Sequence, residues 1–193
     1  MSHKFDPAHK DKLRAEWRTK AIPPVPTLQK LGLRAEDCMA DIGCGIGYFT
    51  IPATEIVDST NQIYALDTSE EMLAEVENRL VGLDVANVIP IKTGEYDLKL
   101  PDESVSFALM VTVLHEVEDK ERFICEAHRI LKPSGRIAVV DWEKKPTKMG
   151  PPVEHRLSSD EVIALLKTAG LEVSQDEEYH FAEVLYGIVA IKN

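Results

Sequence analysis

The chain has 193 residues, 44% hydrophobic and 28% charged, which suits one globular domain with a sizeable core and is short for two. Its 22 basic residues face 33 acidic ones, a formal net charge of −11, and so acidic a surface disfavours nucleic acid and anionic membranes as partners. No apolar run nears the roughly eighteen residues of a membrane span, Met1-Ser2-His3-Lys4 is no signal peptide, and three cysteines without a C-x-x-C pair give no disulfide framework, so a cytoplasmic protein is expected.

Residues 7–20 carry a helical pattern, with Leu13 and Trp17 on one face and Lys10, Arg14 and Arg18 on another. Ile22-Pro23-Pro24-Val25-Pro26 breaks it, because proline has no N–H and clashes with the preceding turn. A short helix with Val25, Leu28 and Leu31 follows and stops at Gly32, so residues 1–36 are expected to form a helical cap. The first strand is expected over 38–42 and its helix over 47–57, bent at Pro52. A second strand over 63–66 ends at Asp67. Thr68 and Glu71 then read as a capping box for a helix that turns Met72, Leu73, Val76 and Leu80 inward and closes at Gly82.

The third strand, 88–91, contains Pro90 and suits an edge position. Residues 104–113 form the longest apolar strand. The helix over 119–131 buries Phe123, Ala127, Ile130 and Leu131 and ends at Pro133-Ser134-Gly135. Strand five, 137–140, is apolar throughout, as expected where both faces are covered. Ser158 and Glu161 make a second capping box for a helix carrying Val162, Leu165 and Leu166, stopped by Gly170. Strands over 171–173 and 184–191 form an antiparallel pair across a loop. This alternation predicts a single Rossmann-like, doubly wound α/β domain over 1–193. Its mainly parallel sheet has seven strands, with an antiparallel C-terminal strand and helices on both faces.

The chemistry concentrates at three strand ends, where ligands bind in such sheets. The first is Asp41-Ile42-Gly43-Cys44-Gly45-Ile46-Gly47-Tyr48, a strand running through a glycine turn into a helix start, where unpaired N–H groups gather. A dinucleotide fingerprint would put glycine at Tyr48, and a P-loop would follow Gly47 with Lys-Ser/Thr. Asp41 would repel a pyrophosphate but attract an ammonium or a sulfonium. The second is Asp67, twenty residues after Gly47, an acid able to accept from both hydroxyls of a ribose; helix capping is its bland alternative. The third is Thr112-Val113-Leu114-His115-Glu116, which is not H-E-x-x-H because Asp119 stands where the second histidine belongs. His115 either faces a reacting group or caps a helix. Cys38, Cys44 and Cys125 fall in separate elements, which argues against a thiolate site for a soft metalloid, and no metal site is expected.

The glycine turn resembles motif I of the class I S-adenosylmethionine-dependent methyltransferases: an acid, an apolar residue, then Gly-x-Gly-x-Gly. The segments Ala65-Leu66-Asp67-Thr68-Ser69-Glu70-Glu71-Met72-Leu73, Leu100-Pro101-Asp102-Glu103-Ser104-Val105-Ser106-Phe107 and Arg129-Ile130-Leu131-Lys132-Pro133-Ser134-Gly135-Arg136 are similar to that family over residues 38–141. The nearest subgroup resembles the small-molecule enzymes that include those of ubiquinone and menaquinone synthesis. The resemblance implies S-adenosyl-L-methionine as cofactor. Asp41 and Gly43 would hold its methionine end, with Cys44, Gly45 and Gly47 completing the turn. Asp67 would take the ribose, Thr68, Ser69 and Met72 would flank the adenosine, Glu95 would accept the adenine amino group, and Thr112 would border the pocket. Ser106 stands where the family has Asp, a structural departure. The core is then 37–141, and 142–193 holds a substrate-side loop followed by the C-terminal helix and strands. His115, His155 or Asp141 would serve as base if the small-molecule acceptor is protonated. Two rivals stay open: a cofactor-binding regulator without catalysis, and a nicotinamide oxidoreductase.

Overall fold

Apolar runs such as 105–111 and 137–140 can be buried only if neighbouring strands take up their backbone N–H and C=O groups. The computed structural model describes residues 16–173 and 178–193. Its strands are β1 (Met39–Ile42), β2 (Ile63–Asp67), β3 (Val88–Lys92), β4 (Val105–Val111), β5 (Leu131–Trp142), β6 (Leu171–Glu172), β7 (Glu178–Phe181) and β8 (Leu185–Lys192). The helices are α1 (Glu16–Ala21), α2 (Pro24–Lys30), α3 (Thr50–Ala53), α4 (Glu70–Leu80), α5 (Lys120–Ile130) and α6 (Ser159–Thr168). The sheet order is β3-β2-β1-β4-β5-β8-β6, with β7 also paired to β8. Strands β3 through β5 along that path are parallel, and β8 is antiparallel to its neighbours. The strand order reverses between β1 and β4, which opens a crevice at their C-terminal ends.

Side chains alternate across β4 as the pleat requires. Phe107, Leu109 and Val111 join Ile22, Leu28 and Phe49 on one face, while Ala108 and Met110 pack with Phe123, Ile130 and Leu166 on the other. The segment around α1 and α2 therefore covers the face that also carries Asp41, two residues on from Met39. No helix of the described residues is long and apolar enough to cross a membrane.

Several expected boundaries shift, each for a local reason. Among the described residues eight strands form rather than seven, because 178–181 pairs with β8 as a hairpin. The helix expected over 47–57 contracts to the single turn of α3, and the chain beyond Pro52 continues in turns. The cap of α4 is Ser69, not Thr68: the Ser69 Oγ accepts the Met72 N–H at 3.4 Å, and Thr68 is exposed. Pro133-Ser134-Gly135 does not sit between helix and strand. Val105 pairs with Leu131 and Phe107 with Arg136, so these residues loop out of β5, with Ser134 at φ 61°. Of the first helix, the described part is α1; Lys10, Leu13 and Arg14 lie outside the described residues. The capping box of α6 forms as expected from Ser158 and Glu161, and β3 takes the edge position that Pro90 requires.

Entry into β1 is fixed by a buried ion pair. Arg136 Nη2 donates to both oxygens of Asp37 at 2.7 and 2.6 Å, and Ser106 Oγ donates to Asp37 Oδ1 at 2.7 Å while accepting the Cys38 N–H at 3.0 Å. Ser106 is thus structural, as its departure from the family pattern implied. Asp37 is 2% exposed, and removing one partner strands the other charge. The Asp37→Ala variant is expected to lose about 3–5 kcal/mol of unfolding free energy in urea titrations.

Candidate active site

The glycine turn leaves β1 and is tied to the neighbouring strand. The N–H groups of Gly43 and Cys44 both donate to the Leu66 carbonyl, at 2.8 and 3.0 Å. Gly43 adopts φ +71°, and a Cβ there would lie 2.5 Å from Val113 Cγ2, so only glycine fits between the turn and the chain leaving β4. Asp67, at the end of β2, accepts the Gly45 N–H on Oδ2 at 2.9 Å and the Ser69 N–H on Oδ1 at 2.8 Å. Each oxygen is thereby fixed and keeps acceptor capacity for a further donor. Burial pushes the Asp67 carboxyl up, against the pull of those N–H groups.

Asp41 is 3% exposed and accepts the Thr50 hydroxyl on Oδ2 at 2.6 Å. Burial raises its pKa to about 6, so it is still ionised at neutral pH. Cys44 is buried in the turn, and burial beside Asp41 and Asp67 keeps its thiol protonated. Met72 is buried on α4. Glu95 lies beyond β3 with Oε1 accepting the Glu118 N–H at 3.3 Å, and Thr93 N–H donates to the Asp67 carbonyl at 2.9 Å.

On the other side of the crevice, Thr112 turns the chain out of β4 with φ 57°, a strained conformation for a β-branched residue. That turn lays Val113 against Gly43 and brings His115 to the end of β5. His115 Nδ1 stands 2.7 Å from Asp141 Oδ1, the His115 N–H donates to Asp141 Oδ2 at 3.1 Å, and the Trp142 N–H donates to Oδ1 at 2.8 Å. A carboxylate only accepts, so Nδ1 carries the hydrogen and, in the neutral ring, Nε2 is the basic nitrogen; Glu116 Oε1 stands 3.6 Å from it. Burial disfavours the imidazolium, but the charge and hydrogen bond of Asp141, with the charge of Glu116 added, outweigh it and the pKa stands above the ordinary histidine value.

A family model described as "Methyltransferase domain" matches residues 40–139. The chain belongs to the methyltransferase-domain family. It is similar to a demethylmenaquinone methyltransferase of Desulfitobacterium hafniense, 31% identical over 135 residues, 69% of this chain and 51% of that one. It is also similar to the ubiquinone/menaquinone biosynthesis C-methyltransferase UbiE of a Marinomonas species, 28% identical over 124 residues, 64% of this chain and 49% of that one. The chain thus spans about half the length of these relatives. A crystal structure of a SAM-dependent methyltransferase from Aquifex aeolicus matches along its whole length, covering 98% of this chain at 30% identity with a TM-score of 0.91.

S-adenosyl-L-methionine is the cofactor of this methyltransferase fold, and the residues present suit it. The turn at Gly43 leaves no room for a side chain, Asp67 is fixed with acceptor capacity to spare, and Asp41 supplies a buried negative charge. Two residues acquire significance that sequence reasoning did not give them. Arg18, read as part of a polar helix face, is 6% exposed and sits with its guanidinium 5.0 Å from the ring centroid of Tyr48. Tyr48 in turn donates its hydroxyl to the Ile22 carbonyl at 3.1 Å, joining the methyltransferase core to the end of α1. Arg156, on the loop expected to face the substrate, donates to the carbonyls of Pro151, Glu143, Lys145 and Met149 at 2.8–3.0 Å. Those bonds and its stacking on Trp142 at 5.6 Å make it the pin of loop 143–156, and His155 rides half-buried on that loop. Trp142 also packs against Trp17, with ring centroids 5.3 Å apart.

Proposed function

We propose that the protein is an S-adenosylmethionine-dependent methyltransferase whose acceptor is a small molecule methylated at a nucleophile that must lose a proton. The observation that carries this reading is the buried His115–Asp141 pair at the C-terminal ends of β4 and β5, beside the glycine turn. In this reading Asp41, Gly43, Cys44, Gly45 and Gly47 hold the methionine end, Asp67 the ribose, Met72 and Glu95 the adenosine side, and Thr112 the boundary with the acceptor. Ser69, which caps α4, stands nearer this side of the site than the exposed Thr68. The segment around α1 and the loop 143–156 form the acceptor wall, with Trp17 and Trp142 as its apolar part, and His155 is held in reserve as a second proton acceptor.

When bound, the cofactor supplies a methyl group already activated on a sulfonium. The protein's contributions are alignment, exclusion of water and proton transfer. His115 Nε2 takes the proton from the acceptor as the nucleophile attacks, while Nδ1–H stays on Asp141. Asp141 fixes the tautomer and the ring orientation, and the imidazolium then returns its proton to solvent. A regulator that binds the cofactor without using it has no need of a buried imidazole oriented by Asp141 at Nδ1, with the Glu116 carboxylate 3.6 Å from Nε2, which favours the enzyme.

Appearance of S-adenosylhomocysteine across a panel of phenols, catechols, hydroquinones, thiols and amines tests this reading. Turnover is expected with at least one hydroxyl- or activated-carbon acceptor. Tight cofactor binding with no turnover anywhere on such a panel would support the regulatory reading instead.

A further inference from the structure

Arg18 is out of place for a residue on a short, charged helix. It is 94% withdrawn from water by residue exposure, 6% remaining, and its Nε has no hydrogen-bond partner among the described residues. Buried guanidinium groups are ordinarily satisfied by carboxylates or carbonyls, as Arg156 and Arg136 are in this same chain. Burial lowers the Arg18 pKa to about 10, opposed by Tyr48 and Asp41, so the group stays charged. Its position is defined from two sides of the glycine turn. Tyr48, immediately after Gly47, lies under the guanidinium, and Asp41, two residues before Gly43, is close enough to act on its charge. Asp41 already accepts the Thr50 hydroxyl.

We propose that Arg18 completes the cofactor site by binding the α-carboxylate of S-adenosylmethionine, with Asp41 opposite it for the α-ammonium. A fork of parallel N–H donors matches a carboxylate, and a neighbouring acid matches an ammonium, so the Arg18–Asp41 pair reads a zwitterion. The inference rests on the cofactor assignment above. It makes the α1 segment part of the donor site as well as of the acceptor wall, and it gives Tyr48 a purpose in the slot where a dinucleotide fold has glycine. The ring supports the guanidinium from below, and the hydroxyl anchors the end of α1 to the turn.

Isothermal calorimetry with S-adenosylmethionine and its decarboxylated form, which keeps the ammonium and the sulfonium but lacks the carboxylate, tests the assignment. The wild-type protein is expected to favour the carboxylated ligand by about 10–100-fold, as expected of a charge-assisted bidentate pair. Arg18→Gln is expected to erase that preference by weakening the carboxylated ligand alone, and Arg18→Lys to restore part of it. Retained binding of the decarboxylated ligand reports that the variant is folded. An unchanged preference in Arg18→Gln, or an equal loss for both ligands, would overturn the role of Arg18. Failure of the wild-type protein to bind either ligand would instead sink the cofactor assignment, and the proposal with it.

Discussion

Exchanging His115 for glutamine is expected to lower the single-turnover rate of methyl transfer by about 10²–10⁴-fold, the usual contribution of a positioned general base. Glutamine keeps the size and one hydrogen bond to Asp141 but has no titratable nitrogen, so S-adenosylhomocysteine affinity should be nearly unchanged. The pH dependence carries the same information with a definite sign. The base works only when neutral, and Asp141 holds the His115 pKa above the ordinary value near 6.5. Activity should therefore rise with pH through a limb above that value. In Asp141→Asn the larger of the two carboxylate contributions to the imidazolium is gone while Glu116 remains, so the limb moves to lower pH and the plateau rate falls as the ring loses its fixed tautomer. Full rate in His115→Gln would remove the residue from the mechanism, and an unmoved limb in Asp141→Asn would detach the pair from the titration.

The second large effect belongs to Asp67. Hydrogen bonds to a charged group contribute about 1.5–3 kcal/mol each, and a ribose offers two hydroxyls. Asp67→Ala is therefore expected to weaken S-adenosylhomocysteine binding by at least about 10²-fold, on the scale of about 1.4 kcal/mol per decade. The same change frees the N–H groups of Gly45 and Ser69, so part of the loss would come from a slackened turn. Asp67→Asn separates the two: its amide oxygen can still hold one N–H, while its NH₂ cannot accept from a hydroxyl. An affinity between those of the wild type and Asp67→Ala, with a smaller loss of thermal stability than in Asp67→Ala, is the expected result, read by calorimetry and by thermal unfolding. Wild-type affinity in Asp67→Asn would leave the ribose without the acceptor assigned to it.

What the sequence revealed and what it hid divide along physical lines. The glycine turn and Asp67 were legible because backbone angles and a strand-end acid are local requirements, written into adjacent residues. The His115–Asp141 pair spans 26 residues, and nothing within either segment says that the ends of β4 and β5 meet there, although both residues could be named separately as candidate bases. Arg18 was placed only on a different helix face from Leu13 and Trp17, because helical spacing gives a face but not what covers it; Tyr48, which lies under its guanidinium, is thirty residues away. Nothing in the spacing of Arg156 shows that its donors are spent on four carbonyls of one loop. The hairpin of β7 and β8 escaped because its turn uses Ala182 and Glu183 at positive φ, where a glycine or asparagine would have announced it. Thr68 lost the cap to Ser69 because Asp67 holds the Ser69 N–H and so sets the start of α4 one residue later.

The central claim is that the turn at Gly43 to Gly47 and the acid at Asp67 form a site for a sulfonium nucleoside rather than for a dinucleotide. Side-by-side calorimetry of the wild-type protein with S-adenosylhomocysteine and with NADH tests it most directly. The expected result is one S-adenosylhomocysteine per chain with an affinity at least about 100-fold tighter than that for NADH, a gap of about 2.7 kcal/mol. Tighter binding of NADH, or no binding of S-adenosylhomocysteine, would contradict it.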